Sequence, residues 1–104
     1  METKWYHYLI AFIAGALFVN VVPHFVNGVA GRPFPSPFSD PPGIGLSSPV
    51  LNIVWATTNF LLAYAFVHFG KLGQRSSRLG IGYFFGALSM SLYLASYFGK
   101  LNLV

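Results

Sequence analysis

The chain has 104 residues, of which 8% are Asp, Glu, Lys or Arg, 55% are hydrophobic and 18% aromatic. A soluble domain carries roughly 25% charged residues, so water is not this chain's main solvent. The formal charge of +4 does not point to nucleic acid, because the cations lie in short segments between apolar spans, whereas a phosphate-binding surface needs them clustered outside the bilayer. With no cysteine, disulfides, thiolate nucleophiles and Cys-based zinc or iron–sulfur sites are excluded.

Three stretches free of Asp, Glu, Lys and Arg run from Trp5 to Gly31, Pro41 to Gly70 and Leu79 to Gly99. Each contains close to the ~20 apolar residues that span a bilayer as helix. The expected fold is therefore an all-α membrane protein, a bundle of three transmembrane helices at about 5–25, 49–69 and 79–98, forming a single domain over 1–104.

In the first span, Asn20, His24 and Asn27 recur at the i, i+4, i+7 spacing of one helical face. Pro23 removes a backbone donor and frees the carbonyl of Val19, so a kink or termination is expected there. An alternative reading makes this span a cleaved signal peptide, with its small-residue site at Gly28-Val29-Ala30; Glu2 weakens the positive n-region that such a segment needs.

A segment of about 22 residues follows, from Asn27 to Ser48, with five prolines and four glycines. Loops of that length are functional or disordered, and Val29, Phe34, Phe38, Ile44 and Leu46 argue against disorder. A re-entrant or interface-lying cap is expected, its phenylalanines dipping into headgroups or covering the bundle. Arg32 and Asp40 are the candidate ion pair within it.

The second helix has a defined start, with Ser48 as N-cap and Pro49 at the first helical position. Ser48, Asn52, Ala56, Asn59 and Ala63 share one face of it, and Gly70 and Gly73 are stop signals. In the third span Gly82, Gly86, Ser89, Tyr93 and Ser96 form a comparable stripe. Helices in lipid associate where small residues let backbones approach and where Asn, Ser or Thr bond across the interface. Gly82, Gly86 and Ser89 are accordingly expected to pack against a neighbouring helix, and bulky residues such as Leu61, Leu62, Phe84 and Leu88 to face lipid or another subunit.

Lys71, Arg75 and Arg78 occupy the second connection, which the positive-inside rule places in the cytoplasm. The expected location is the inner (plasma) membrane, multi-pass, with the N-terminus inside and loop 27–48 and the C-terminus outside. Asn20, His24, Asn27, Arg32, Asn52 and Asn59 then form a candidate polar cluster in the outer leaflet, Asn59 lying roughly 15 Å below the start of its helix. Polar residues in spans mark ligand sites or proton paths, or serve simply as interhelical glue.

No sequence motif suggests an enzyme. Glu2 and Asp40 are the only acids, and there is no His-Glu-x-x-His, Gly-x-Ser-x-Gly or phosphate loop. His7 and His68 belong to one end and His24 to the other, a poor set of metal ligands. No catalytic residue, metal or cofactor is therefore assigned. The reading placed first is an accessory or scaffold subunit acting through helix packing and its outer loop. Its expected partners are the lipid bilayer and either its own copies, as a homo-oligomer, or a larger membrane complex. The alternatives are a small homo-oligomeric channel or carrier built on the Asn/His cluster, and a quinone- or haem-associated redox subunit.

Overall fold

A computed structural model describes residues 1–103. It is all-helical, in the order α1 (Trp5–Val29), α2 (Pro49–Phe69), a 3-10 turn (Leu72–Gln74) and α3 (Leu79–Gly99). Each of the three long helices is long and apolar enough to cross a membrane.

The helices follow from local signals. At α2 the Ser48 hydroxyl accepts from the Leu51 amide at 3.1 Å, with Pro49 in the first turn. α1 does not stop at Pro23 but continues through it to Val29. One missing amide removes a single intrahelical bond, and the last turn has its own support. The Asn27 amide donates to the Pro23 carbonyl at 2.8 Å, the Ala30 N–H to Val26 at 3.2 Å, and the Arg32 N–H to the Asn27 carbonyl at 2.9 Å. Gly31, at φ +72°, then turns the chain away.

Burial is inverted relative to a water-soluble bundle, where large apolar side chains fill the core. The buried positions are His7, Ala11, Ala14, Gly15 and His24 on α1; Asn52, Ala56, Asn59 and Ala63 on α2; and Leu79, Gly82 and Gly86 on α3. Leu61, Leu62, Phe84 and Leu88 are exposed. Small and polar side chains inside with bulky ones outside is the arrangement that lipid favours.

The packing is not evenly shared among the helices. α1 lies along both α2 and α3, while α2 and α3 have no comparable interface with each other. The α1–α3 contact is a backbone-to-backbone approach through glycine. A side chain on Gly86 would overlap the Phe12 carbonyl, one on Gly82 would meet Tyr8 and Ala11, and one on Gly15 would overlap the Tyr83 backbone. The Gly82/Gly86 pair is therefore used inside the chain. Ser89 departs from the expected stripe and is exposed. With 3.6 residues per turn, the buried face that starts at Leu79 and passes through Gly82 and Gly86 drifts to the half-buried Met90 and Leu94, and Ser89 lies about 100° round the helix from Met90.

At the end opposite the long loop, the N-terminus is docked on the α2–α3 connection. The Met1 ammonium donates to the Gln74 carbonyl at 3.0 Å, the Ser76 amide to the Thr3 hydroxyl at 2.9 Å, and the Arg75 guanidinium to the Glu2 carbonyl. This gathers Lys4, Lys71, Arg75 and Arg78 at one end of the molecule.

Candidate functional site

The chain between α1 and α2 folds into a lobe. Its base is closed by a two-way bridge, Phe34 N–H to Ser47 carbonyl at 3.2 Å and Ser47 N–H to Phe34 carbonyl at 3.0 Å. Inside, three buried hydroxyls replace the missing secondary structure. Ser36 and Ser47 share a 2.5 Å hydrogen bond, and the Ser39 hydroxyl donates to the Ser36 carbonyl at 2.6 Å. The Gly43 amide closes the lobe by donating to the Ser36 carbonyl at 2.8 Å, and the Tyr97 hydroxyl of α3 donates to the Gly43 carbonyl at 2.7 Å. The Tyr97 bond pins the lobe across the gap that α2 and α3 leave between them. Tyr97→Phe should destabilise the lobe by about 1 kcal/mol, read as faster amide exchange over residues 36–45 by mass spectrometry with the helices unchanged.

Asn52 ties the lobe to α1. It is 0% exposed, and its side-chain N–H group faces three carbonyls, those of Phe34 at 2.9 Å, Ser48 at 3.1 Å and Ser47 at 3.3 Å. Only one amide orientation satisfies that surrounding, and it leaves the Asn52 Oδ1 facing His24 Nδ1 at 2.7 Å. A carbonyl oxygen cannot donate, so Nδ1 carries a proton. In the neutral ring Nε2 is then the bare, accepting nitrogen.

A second chain of the same kind lies one turn deeper. The Asn59 amide donates to the Trp55 carbonyl at 2.9 Å, its Oδ1 accepts from the Asn20 amide at 3.1 Å, and Asn20 is left with its Oδ1 as acceptor and the second hydrogen of its Nδ2 as donor. In both cases backbone carbonyls of the loop or of α2 orient an asparagine, which in turn orients a residue of α1 so that an acceptor, His24 Nε2 or Asn20 Oδ1, is left free.

Both acceptors face the same space. Between α2 and α3, over α1 and beneath the lobe, lies an open-sided cavity of about 310 Å³, lined by Asn20, His24, Pro35, Ser36, Trp55, Tyr93, Leu94, Tyr97 and Phe98 among others. His24 is 3% exposed, and its ring is bordered edge-on by Phe34 at 5.6 Å and by Trp55 and Phe98 at 6.4 Å. Among the described residues no fully buried side-chain nitrogen or oxygen lacks a hydrogen-bond partner. His24 Nε2 and Asn20 Oδ1 have none, and so are open to the cavity that their residues line. Tyr93 is exposed at the cavity's side.

Four of the six residues expected in the polar cluster are thus joined, as the pairs His24–Asn52 and Asn20–Asn59. Asn27 and Arg32 are not part of it. The Asn27 amide is used on the Pro23 carbonyl, and its Oδ1 accepts from the Arg32 guanidinium at 3.0 Å. Arg32 therefore has Asn27, not Asp40, as its partner, and Lys4–Glu2 is the ion pair present among the described residues. Asn27 keeps its helical position, but its side chain is spent locally, on the carbonyl that Pro23 offers one turn back and on Arg32 just beyond the helix. His7 accepts from the Lys4 amide at 2.8 Å, and His68 stacks on Tyr64. Among the described residues no group of three or more His, Cys, Asp or Glu side chains could hold a metal ion.

The aromatic walls were not legible as a site. From the sequence Tyr93 reads as part of the α3 stripe, and Tyr93 and Tyr97 together as interface aromatics near the end of that span; their spacing of four, matched by Trp55 lying between Asn52 and Asn59 on α2, is the signal that places them beside the polar pairs. Comparison with protein-family models, with curated proteins and with solved structures gives no match in any of the three.

Proposed function

We propose that the protein is a small, non-enzymatic accessory subunit of the inner membrane that holds a small molecule in the outer leaflet, between its second and third helices and under its loop. The observation that carries this reading is His24, a nearly buried histidine held by Asn52 through one nitrogen and unpartnered at the other, on a cavity of about 310 Å³. Ligand cavities begin near ~300 Å³ and combine apolar walls with a few convergent polar groups. Structural glue would have both polar ends of the residue satisfied.

The orientation is supported by the four cations Lys4, Lys71, Arg75 and Arg78 collected at the end opposite the lobe, which the positive-inside rule assigns to the cytoplasm. An uncleaved first helix is supported by its role as the shared partner of α2 and α3 and as the source of His24 and Asn20. Binding is favoured over conduction through a single copy because Ala14, Ala11, Ala63, Leu72 and Leu79 fill the interior towards the other end, where the buried His7 is held by the Lys4 amide, and these offer no continuous polar path.

A scaffold role for the loop has its own observation. The lobe is internally hydrogen-bonded yet exposes Phe38, Ile44 and Leu46, a rigid apolar tip suited to the headgroup region or to a partner subunit.

Native mass spectrometry after mild detergent extraction tests the binding reading. The wild type should carry a small-molecule adduct that Leu94→Trp, which fills the cavity without touching its hydrogen bonds, removes. The binding reading fails if the adduct persists in Leu94→Trp, or if the wild type is empty and no fraction of a membrane lipid extract changes its Trp55 fluorescence.

A further inference from the structure

The cavity has a polarity of its own, set by the direction of its two asparagine chains. The structure assigns it to a neutral, ring-shaped ligand that donates hydrogen bonds, a hydroquinone or related phenolic headgroup in its reduced, hydroxyl-bearing form. The assignment rests on the binding reading above and names the ligand class.

Backbone carbonyls set the pattern. Three carbonyls fix Asn52, Asn52 fixes His24, and the bare Nε2 results. The Trp55 carbonyl fixes Asn59, Asn59 fixes Asn20, and the bare Oδ1 results. Turning either amide over would set carbonyl oxygens against each other, so neither acceptor can be exchanged for a donor at small cost. The two sit one helical turn apart on α1, about 6 Å along the axis, a span that two hydroxyls across one ring can address. A ligand with only acceptors, such as the oxidised quinone, would meet a bare nitrogen lone pair at His24, whereas the second Nδ2 hydrogen of Asn20 serves either form.

Shape and charge narrow the class further. Trp55, Tyr97 and Phe98 supply ring walls, against which an aromatic ligand gains offset or edge-to-face contacts. The volume suits one substituted ring and not a lipid tail. A tail would leave through the gap between α2 and α3, which have no comparable interface to close it. No Asp, Glu, Lys or Arg lines the cavity. An anionic headgroup therefore finds no cation, and an ammonium finds aromatic faces but no carboxylate to offset its desolvation. The Trp55 indole N–H and the Tyr93 hydroxyl can donate to a ligand oxygen, but they serve the reduced and oxidised forms alike.

The test uses the full chain in detergent on a Trp5→Phe background, which removes the exposed tryptophan at the opposite end (77% exposed) and leaves Trp55 as the reporter. Three tail-matched probes are titrated: a decyl-tailed para-benzohydroquinone kept reduced, its oxidised para-benzoquinone, and decyltrimethylammonium. The reduced probe should bind roughly tenfold or more tighter than the oxidised one, because a site built to accept a hydroxyl rejects the analogue without it. Leu94→Trp should abolish binding, and His24→Phe should remove the preference. His24→Phe also strands Asn52 and can unfold the lobe, so Leu94→Trp, which leaves both asparagine chains intact, keeps the test decisive. Equal affinity for the two redox forms, preference for the quinone, or tightest binding of the ammonium overturns the assignment while leaving a binding protein. Binding of none of the probes overturns it as well, and a co-purifying adduct of another class in the wild type shows whether the broader reading survives.

Discussion

Asn52→Ala should destabilise the protein by about 3 kcal/mol, one of the two largest single-residue effects expected. The buried His24 Nδ1–H would lose its only partner, at about 1–3 kcal/mol, and three carbonyl contacts worth about 0.5–1 kcal/mol each would go with it. The sum is tempered because these carbonyls keep other donors. The Ser48 carbonyl still accepts from the Asn52 backbone amide, and the Phe34 and Ser47 carbonyls still pair with each other's amides. Asn52→Asp separates this account from simple loss of volume. The carboxylate matches the amide in size but would turn an oxygen towards three carbonyls, so it should be at least as destabilising as alanine. Chemical unfolding in mixed micelles, with amide exchange over residues 33–48, measures both variants; a benign Asn52→Asp would contradict the network.

Gly86→Leu should have an effect of similar or greater size for a different reason. The added side chain is directed at the Phe12 carbonyl, which belongs to helical backbone and cannot rotate away as a flexible side chain would. Overpacking costs about 1–3 kcal/mol, occasionally more, and here the relief available is separation of α3 from α1. Since α3 has no comparable contact with α2, it would be left without a packing partner over that length. Ser89→Leu, three residues on but exposed, should stay within about 0.5 kcal/mol of wild type. Unfolding midpoints of the two variants read the contrast, and similar values for both would mean that the close approach of α1 and α3 does not hold this fold together. A label-based distance across the same pair of helices is clean in this chain, because it has no native cysteine to block.

Much of the helical architecture was legible because its causes are local. Runs without charge set the three spans, Ser48 and Pro49 set one start, and the exposed bulky residues followed from composition. The end of α1 was not legible, since Pro23 reads as a stop and the bonds that carry the helix to Val29 come from Asn27 and from the turn beyond it. Nor was the central position of α1, because all three helices show a small or polar stripe and only the packed structure tells which two stripes α1 engages. In α3 the expected stripe drifted off the true interface after Gly86, which is how Ser89 entered the packing set.

The polar cluster shows the same division. Helical spacing brought Asn20 with His24, and Asn52 with Asn59, onto common faces. It could not say that each α1 residue pairs with one of the α2 asparagines, nor that Asn27 would turn back to its own helix. The direction of each hydrogen bond depends on the carbonyls of Phe34, Ser47, Ser48 and Trp55, which become neighbours only once the lobe has folded over the gap. The hydroxyls of Ser36, Ser39 and Ser47 build that lobe in place of secondary structure, and in the sequence they read as ordinary turn residues.

The most direct test of the account is the protonation pattern of the His24 ring, read by ¹⁵N NMR of histidine-labelled protein in bilayers and assigned by difference against His24→Phe. The account predicts a protonated Nδ1 and a bare Nε2, with the Nε2 resonance moving when the reduced probe is added and Nδ1 holding its position. A ring protonated at Nε2 with a bare Nδ1, or an Nε2 resonance indifferent to saturating probe, would contradict it.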